Sequence, residues 1–389
     1  MDTKKFIIIC ASILGGFLLL LLIVWLISLT RPKYITYEEL EKKMVSASKN
    51  YVKDNEDKFT TDNAKYNLGY QTLVAGEYIK PLEELLEDAT TCAASITISK
   101  NSGEYSYVPY LNCGDRYRTI ELYKQILNDN QLVSRGSGLY RANNGGYYFR
   151  GKNLNNYVAF GTVRKNSNVN DYIWQIMSIG SDNTVKLRAT FTENTIKSRW
   201  DDRYNEDTSK FVGYNLFDDS LLQEKLEELY NDRDFLNTEL KSKLVSRHLC
   251  VAPRNGTDES QDGSTECSQL SKKAYYFSTI TPYEFMRISI DPNCKNIYDR
   301  SCSNFNFISQ NNQSTEWIMT ATPDDNSKAY IFDGKIFDVS TTKYNRNLYV
   351  VIELNEYSFY KSGDGSQENP YRLKLSNELS GEDNKNKDK

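Results

Sequence analysis

The sequence predicts an α+β protein composed of an N-terminal transmembrane helix, a small α+β domain and a larger strand-rich α+β domain. Three observations support this fold class: an uncharged apolar run at residues 6–29, six cysteines beyond that run, and helical patterns that alternate with strand patterns. A domain commonly has about 150 residues, so the rest of this 389-residue chain is long enough for two. We place them at 34–132 and 133–375, followed by a disordered tail at 376–389.

Residues 6–29 form the predicted membrane anchor. The run has no charged residue, and at a rise of about 1.5 Å per residue it can cross a hydrocarbon core of roughly 30 Å. It is longer than the apolar part of a cleavable signal peptide and ends in Trp25, Leu26 and Ile27, where a cleavage site would need small residues. We therefore expect a retained signal anchor that contacts the lipid bilayer, with residues 1–5 as a cytoplasmic tail.

The cysteines decide the predicted orientation, because basic residues flank the anchor on both sides. Cys10 lies inside the anchor, and the other six form three couples that each close a short loop of the kind that disulfides staple. The couples are Cys92 with Cys113, Cys250 with Cys267, and Cys294 with Cys302. A zinc site is the alternative, but the sequence has no C-x-x-C spacing and His248 is its single histidine. Disulfides persist in oxidising compartments, so we expect a single-pass protein of the cell membrane with a cytoplasmic N-terminus and an extracellular bulk.

The pattern of residues 34–132 predicts a small α+β domain. Apolar residues at helical spacing over 37–54, behind the candidate N-cap Thr36, predict an amphipathic helix. A shorter and interrupted helical pattern follows at 72–88. The remaining predicted elements are a hairpin of strands at 94–100 and 104–113 and a helix at 119–130.

Alternating apolar residues predict many strands in the range 133–375. A stretch rich in Gly and Asn at 136–146 predicts a loop behind a boundary near Val133, and 251–266 predicts a polar loop that needs a disulfide clip. A helical pattern of leucines runs over 219–244. The predicted strands lie at 147–151, 156–163, 172–182, 184–191, 316–323, 328–339 and 348–355, with a further helix within 275–290.

The C-terminal half also resembles a known family. The segments that carry the resemblance are, in order, NYVAFGTV, WQIMSIGSDNTVKLRA, STITPYEFMRI, EWIMTATP, LYVVIEL and the closing GDGSQENPYRL, and they span Tyr157 to Leu373. They are similar to a domain of unknown function that occurs in surface and secreted proteins of Gram-positive and wall-less bacteria. The resemblance implies a C-type-lectin-like or formylglycine-generating-enzyme-like fold, although Asn347 and Leu348 stand where the family usually has Arg-Pro.

The N-terminal part, from Met1 to about Asn128, is similar in layout to type IV pilins and pseudopilins. A membrane helix runs into an amphipathic helix and then into a small α+β head. Gly16 and Phe17 lack the short charged leader and the following glutamate of prepilins, so the resemblance implies a pilin-like architecture without prepilin processing. It also implies envelope or pilus-like subunits as partners.

No pattern in the sequence predicts a catalytic centre, a cofactor site or a metal site. His248 has no G-x-S-x-G companion, and a phosphate-binding Gly-Lys-Ser/Thr ending is absent. Three pairs of acids leave glycosidase or calcium chemistry open, although solvated turns explain them more simply and the sequence has no D-x-D-x-D-G loop. The pairs are Asp201 with Asp202, Asp218 with Asp219, and Asp324 with Asp325. A net charge of −4 argues against a nucleic-acid partner.

We therefore predict a non-enzymatic, disulfide-stabilised protein that binds an extracellular protein or glycan or acts in envelope assembly. The chain has 29 tyrosines, a residue type that suits binding surfaces. The candidate ligand-binding residues are Trp317, Tyr330, Tyr344, Asp324 and Asp325. Two alternatives stay open: a minor pseudopilin of a secretion or uptake machine, and an envelope enzyme that acts on a polymer through acidic residues.

Overall fold

The computed structural model describes residues 34–375 except 63, 102, 166–167, 191–195, 234, 300, 303–304, 312–314 and 334–336. Within this part of the chain, short helices and many strands pack around two hydrophobic cores. The smaller core is built from residues between Leu40 and Cys113, and the larger core from residues between Leu122 and Leu373. The predicted α+β class is therefore confirmed.

No described helix is both long and apolar enough to cross a membrane. The longest of them, α1 (Tyr37–Asp54), has 18 residues and exposes lysines and glutamates along one side, which is the pattern of an amphipathic surface helix. This finding contradicts the predicted transmembrane helix in the fold class and the predicted single-pass localisation with a cytoplasmic N-terminus and an extracellular bulk. The predicted tail at 1–5, the anchor at 6–29 and the C-terminal tail at 376–389 lie outside the described residues.

Helix α1 and a three-stranded sheet form the smaller core. Thr36 caps α1, as predicted, because its hydroxyl accepts a hydrogen bond from the amide of Glu39 at 3.1 Å. The buried side of the helix carries Leu40, Met44 and Val52. The sheet has the antiparallel order β1-β2-β3. The further elements are a 3-10 helix (Glu56–Lys58), β1 (Lys65–Gly69), α2 (Tyr70–Ala75), α3 (Leu82–Leu85), β2 (Ala93–Asn101) and β3 (Glu104–Asn112).

Five helices and seventeen strands follow in the described residues after the smaller core. The helices are α4 (Leu122–Asp129), α5 (Leu221–Asn231), α6 (Thr238–Lys241), α7 (Pro282–Arg287) and α8 (Phe307–Asn311), with a 3-10 helix at Glu266–Ser268. The strands are β4 (Gly138–Arg141), β5 (Tyr147–Arg150), β6 (Tyr157–Lys165), β7 (Asn168–Ile179), β8 (Val185–Ala189), β9 (Lys197–Ser198), β10 (Tyr204–Asn205), β11 (Lys210–Phe211), β12 (Arg247–Cys250), β13 (Leu270–Tyr275), β14 (Glu316–Ala321), β15 (Lys328–Phe332), β16 (Phe337–Thr341), β17 (Arg346–Asn347), β18 (Val351–Leu354), β19 (Tyr360–Ser362) and β20 (Tyr371–Leu373).

Two sheets contribute to the larger core. The main sheet has eight strands in the order β18-β8-β7-β6-β20-β19, and the β4-β5 hairpin joins it at β7. The second sheet has five strands in the order β16-β15-β14-β17-β9. Strands β12 and β13 form a separate antiparallel ribbon, and bridges from Leu244 to Leu354 and from Ser278 to Val351 join the segments that flank it to β18. The ribbon is thereby held at the edge of the main sheet.

The three predicted disulfides are present. Cys92–Cys113 closes the hairpin of β2 and β3, Cys250–Cys267 closes the polar loop inside the ribbon, and Cys294–Cys302 clips a loop after α7. Each links cysteines that are near in sequence, with separations of 21, 17 and 8 residues. The disulfide part of the sequence prediction is therefore confirmed.

Two element predictions need correction. The predicted loop at 136–146 contains strand β4, because Gly136 and Gly138 adopt positive φ angles that let the chain turn before Leu139 enters the core. The helical pattern over 219–244 divides into α5 and the short α6. The predicted domain ranges 34–132 and 133–375 stay predictions, and α4, which precedes that boundary, packs into the larger core.

Candidate functional site

A polar cleft of about 220 Å³ lies beside the ribbon β12-β13. Its walls come from the ribbon, from the following segment up to α7, and from the adjacent strands β8 and β18. The cleft therefore lies where three parts of the chain that are distant in sequence meet. Its lining combines charged side chains on the strands with tyrosines from the ribbon and the segment after it.

Lys186 on β8 lies at the centre of the charged network in this cleft. Its ammonium group contacts Glu284 at 2.7 Å and Glu353 at 3.2 Å. Burial opposes the charge on this amine, but the two carboxylates outweigh it and raise the pKa of Lys186 above its usual range. Lys186 therefore stays protonated and holds α7 against β8 and β18.

Arg247 on β12 extends the network to the surface. Its Nε donates a hydrogen bond to Glu353 at 2.9 Å, and its guanidinium group also pairs with Asp182 and donates to the Thr184 hydroxyl at 3.3 Å. Burial opposes ionisation of Asp182, but hydrogen bonds from Thr184 and Arg247 lower its pKa. The side chains of Arg247 and Asp182 are 40% and 49% exposed, so this pair is the most accessible part of the network.

Glu284 is fixed from two sides. Thr281 starts α7 with a capping box in which its amide and hydroxyl donate to Glu284 Oε2 at 3.0 and 2.8 Å, while Lys186 contacts Oε1. Burial raises the pKa of this carboxyl, but Lys186 and Thr281 lower it by more than burial raises it. The pKa of Glu284 therefore lies below its usual value. The nearby Thr279 hydroxyl is buried and has no hydrogen-bond partner among the described residues. The cleft therefore has rigid acceptors and one spare hydroxyl.

Three tyrosines line the same cleft. The Tyr275 hydroxyl donates to Asp218 at 3.0 Å, and the Tyr276 ring stacks on Tyr230 with centroids 4.5 Å apart. Burial raises the pKa of Tyr283 to about 12. The Tyr283 hydroxyl therefore stays protonated at neutral pH, and the three rings supply apolar surface next to the charges.

His248 also lines the cleft but is tied to the backbone. Its Nδ1 lies 2.8 Å from the Ser271 carbonyl oxygen, which can only accept a hydrogen bond, so Nδ1 is the donor. This contact orients the ring along the ribbon.

A scan against protein-family models, a search of curated proteins and a search of solved structures each returned no match for this chain. The resemblances to lectin-like and pilin-like proteins therefore stay predictions.

The structure places two of the predicted ligand-binding residues inside the protein. Trp317 is completely buried on β14, where its indole nitrogen donates to the Ser198 carbonyl at 2.9 Å. Tyr330 on β15 is 1% exposed, and its hydroxyl donates to the Arg254 carbonyl at 3.0 Å. Both side chains are packing residues of the larger core, and the residues next to them in these strands are buried as well.

The other predicted ligand-binding residues lie at turns away from the cleft. Asp324 and Asp325 lie between β14 and β15, and hydrogen bonds from Ser327 and Lys328 lower the pKa of Asp325 to about 2. Tyr344 is half exposed in the turn before β17. None of the three lines the cleft, and their role in binding stays a prediction.

The paired acids and the metal alternative can also be placed. Asp201 is buried against Arg203, whereas Asp219 pairs with Lys272 at 2.8 Å. Among the described residues, Asp291, Cys294 and Cys302 bring three possible metal-ligating atoms within 4.8 Å of one another. The two sulfur atoms are joined in a disulfide, so they do not offer thiolate ligands.

The sequence patterns do not identify the four central residues of the cleft, which are Lys186, Arg247, Glu284 and Glu353. Lys186 lies in the apolar strand VKLRA and Glu353 in VIEL, and Arg247 begins the ribbon. A charged residue inside an apolar strand is a signal that could have identified the first two. The capping-box spacing of Thr281 and Glu284 could have indicated where α7 begins, but not its partner Lys186.

Proposed function

We propose that this chain is a non-enzymatic binding protein whose polar cleft takes a carbohydrate. The observation that carries the proposal is the network of Lys186, Glu284, Glu353 and Arg247 beside Tyr275 and Tyr276. Charged groups that are paired with one another offer hydrogen-bond donors and acceptors in fixed positions, which suits the hydroxyl groups of a sugar. Aromatic rings beside them can cover the apolar faces of a sugar ring.

The charges in the cleft favour a neutral or amine-bearing sugar over an acidic one. The cations that line it are Lys186 and Arg247 and the lining acids are Glu284 and Glu353, while Asp182 pairs with Arg247 from outside the lining. Both cations already have carboxylate partners, so an anionic ligand would have to displace an existing ion pair. Phosphorylated or sulfated ligands are therefore disfavoured.

The pKa directions argue against proton-transfer chemistry in this cleft. General acids and bases work best when their pKa lies near the operating pH. Here the pKa values of Glu284 and Asp182 are lowered and that of Lys186 is raised, so each of these groups is held in its charged state. Such groups suit binding better than catalysis.

Binding of the full-length chain to a panel of neutral, amino and acidic oligosaccharides tests the proposal. We expect neutral or amino sugars to bind and the variant Glu353→Gln to weaken binding about ten-fold or more, because a hydrogen bond to a charged group contributes about 1.5–3 kcal/mol. The matched control is Glu84→Gln on α3, far from the cleft in sequence, which removes an exposed carboxylate that pairs with the exposed Lys80. Absence of any bound oligosaccharide, or equal binding by Glu353→Gln and the unmodified chain, would contradict the proposal.

A further inference from the structure

A second cavity of about 240 Å³ lies between the ribbon and helix α5. It shares Tyr275 and Tyr276 with the polar cleft, so the same two residues line both spaces. The cleft and the second cavity are therefore neighbours, separated by one short stretch of backbone and its two tyrosines.

The second cavity is more aromatic than the cleft. Tyr230 and Tyr276 stack nearly parallel, with centroids 4.5 Å apart and an interplanar angle of 4°. Phe277 meets the Tyr230 ring edge-on at 5.6 Å. The rigid contact surface that results is apolar in its middle, and such surfaces bind ring faces with little loss of side-chain entropy.

Polar groups surround this aromatic surface. Lys273 pairs with Glu227 at 3.2 Å, and the exposed Asn231 lies at the end of α5. The neighbouring Lys272 donates its backbone amide to Asp218 at 3.0 Å, and its ammonium group pairs with Asp219 at 2.8 Å. Lys272 and Lys273 each have an acidic partner among the described residues, so neither offers a free positive charge to an anionic ligand.

We propose that the cleft and the second cavity are consecutive subsites for one neutral or amine-bearing oligosaccharide. One sugar unit occupies the cleft among the charged residues, and a neighbouring unit occupies the second cavity against the Tyr230-Tyr276 pair. This inference rests on the proposed carbohydrate-binding function and adds that the ligand is a chain of at least two units.

Calorimetric titration of the full-length chain with cello-, chito-, malto- and manno-oligosaccharides of one to six units tests the inference. We expect affinity to rise about ten-fold or more between one unit and two or three units in the series that binds, since each subsite adds its own contacts. Tyr230→Leu should remove this gain, because it removes one ring of the stacked pair that lines the second cavity. Glu353→Gln should weaken binding at every length.

Two further variants guard against effects on folding. Asn231→Trp fills the second cavity from an exposed position and should also remove the gain with length. Phe211→Ser removes an aromatic ring that is 71% exposed outside both spaces and should change nothing. Affinity that is independent of length, with single-unit binding intact, overturns the second subsite but not the proposed function. Failure of every series to bind overturns both.

Discussion

Arg188 and Glu316 form a buried ion pair between the two sheets of the larger core. One terminal nitrogen of Arg188 contacts both carboxylate oxygens at 2.7 and 2.6 Å, and the Tyr349 ring lies 4.4 Å from the guanidinium carbon. The two side chains are 3% and 1% exposed. At such burial the pair is costly to break, because the remaining charge loses both its partner and its water.

Replacement of one or both partners tests this account. Glu316→Leu alone should lower the free energy of unfolding by about 3–5 kcal/mol, because Arg188 is left buried and unpaired. The double variant Arg188→Met/Glu316→Leu should recover most of that loss, since it removes both charges. Urea unfolding measures both values. Additive losses in the double variant would argue against the ion-pair explanation.

Lys243 is a buried cation near the contact between the two cores. Burial lowers its pKa from 10.5 to about 8, with Glu239 opposing the shift and Lys65 adding to it. Between these values the unfolded chain binds a proton that the folded chain has released. The free energy of unfolding should therefore rise with pH across this window, and the full penalty of the buried charge should be present below it.

Lys243→Met removes that penalty. We expect the variant to raise the free energy of unfolding at pH 7 by about 1–3 kcal/mol and to flatten the pH dependence between about pH 8 and 10.5. Urea unfolding at several pH values measures both effects. Lys225→Met, which removes a partly exposed lysine on α5, serves as the control. A less stable Lys243→Met variant at pH 7 would contradict the lowered pKa.

At the residue scale, the sequence shows the chemical character of each side chain but not which other side chains it contacts in the folded protein. The aromatic side chains of Trp317 and Tyr330 predict binding residues, yet both lie in strands in which the adjacent residues are also buried. Lys186 and Glu284 were missed because they are 98 residues apart and become an ion pair only when α7 packs on β8. A single sequence carries no record of such pairing.

At the element scale, the loop at 251–266 is ordered by a buried arginine as well as by its disulfide. The side chain of Arg254 is completely buried inside this loop, where it contacts Glu266 at 2.9 Å and the carbonyl oxygens of Asp258 and Ser260 at 2.7 Å. The loop therefore folds around an internal cation. The sequence predicted the clip from the cysteine spacing, but composition alone predicted a flexible loop.

Hydrogen exchange within 251–266 separates the contribution of the Cys250–Cys267 disulfide from that of Arg254. Cys250→Ala/Cys267→Ala should lower the free energy of unfolding by about 3 kcal/mol and speed exchange throughout the loop, because a closed loop of this length restricts the unfolded chain. Arg254→Met should speed exchange mainly between Asp258 and Glu266, where its hydrogen bonds are lost. Cys92→Ala/Cys113→Ala, in the smaller core, should leave this loop unchanged. Equal exchange rates in Arg254→Met and the unmodified chain would refute the role of the internal cation.

Local signals predicted the other elements with mixed success. The cap at Thr36 and the hairpin of β2 and β3 depend on residues close in sequence, and both were correct. Strand β4 was not predicted because the glycines before and within it are typical of loops, whereas here they form a turn that leads into the strand. The parallel pairing of β20 with β6 could not be predicted, since it joins distant parts of the chain.

At the scale of the whole molecule, a buried polar cluster joins the two cores. Lys374 contacts both oxygens of Glu41 at 2.9 and 2.8 Å and the Tyr117 hydroxyl at 3.0 Å. Thr119 donates a hydrogen bond to the same carboxylate at 2.7 Å. Glu41 lies on α1 of the smaller core, whereas Lys374 directly follows β20 of the main sheet. The cluster therefore couples the stability of the two cores.

Lys374→Met should uncouple them. The variant leaves the Glu41 carboxylate buried without its cation, so we expect a loss of about 3 kcal/mol and earlier opening of α1 than of the main sheet. Hydrogen exchange read out separately for α1 and β7 measures the difference. Lys124→Met removes a half-exposed lysine and should have no such effect. Simultaneous opening of both elements in Lys374→Met would contradict the coupling.

The sequence predicted the global class only in part. Mixed helical and alternating patterns indicated α+β, and local cysteine couples indicated the three disulfides, and both are correct. The predicted membrane-spanning helix is contradicted, since the described helices are short or amphipathic. The order of strands in the two sheets and the cleft beside the ribbon depend on contacts across the whole chain, which periodicity does not encode.

The most direct test of the carbohydrate-binding cleft is a hydrogen-exchange footprint of the full-length chain with its strongest-binding oligosaccharide. The account predicts ligand-dependent protection in the ribbon segments 247–250 and 270–275, extending through 284, and its loss in Glu353→Gln. Protection confined to the turns that carry Asp324 and Tyr344, or no protection with any oligosaccharide of the panel, would contradict it.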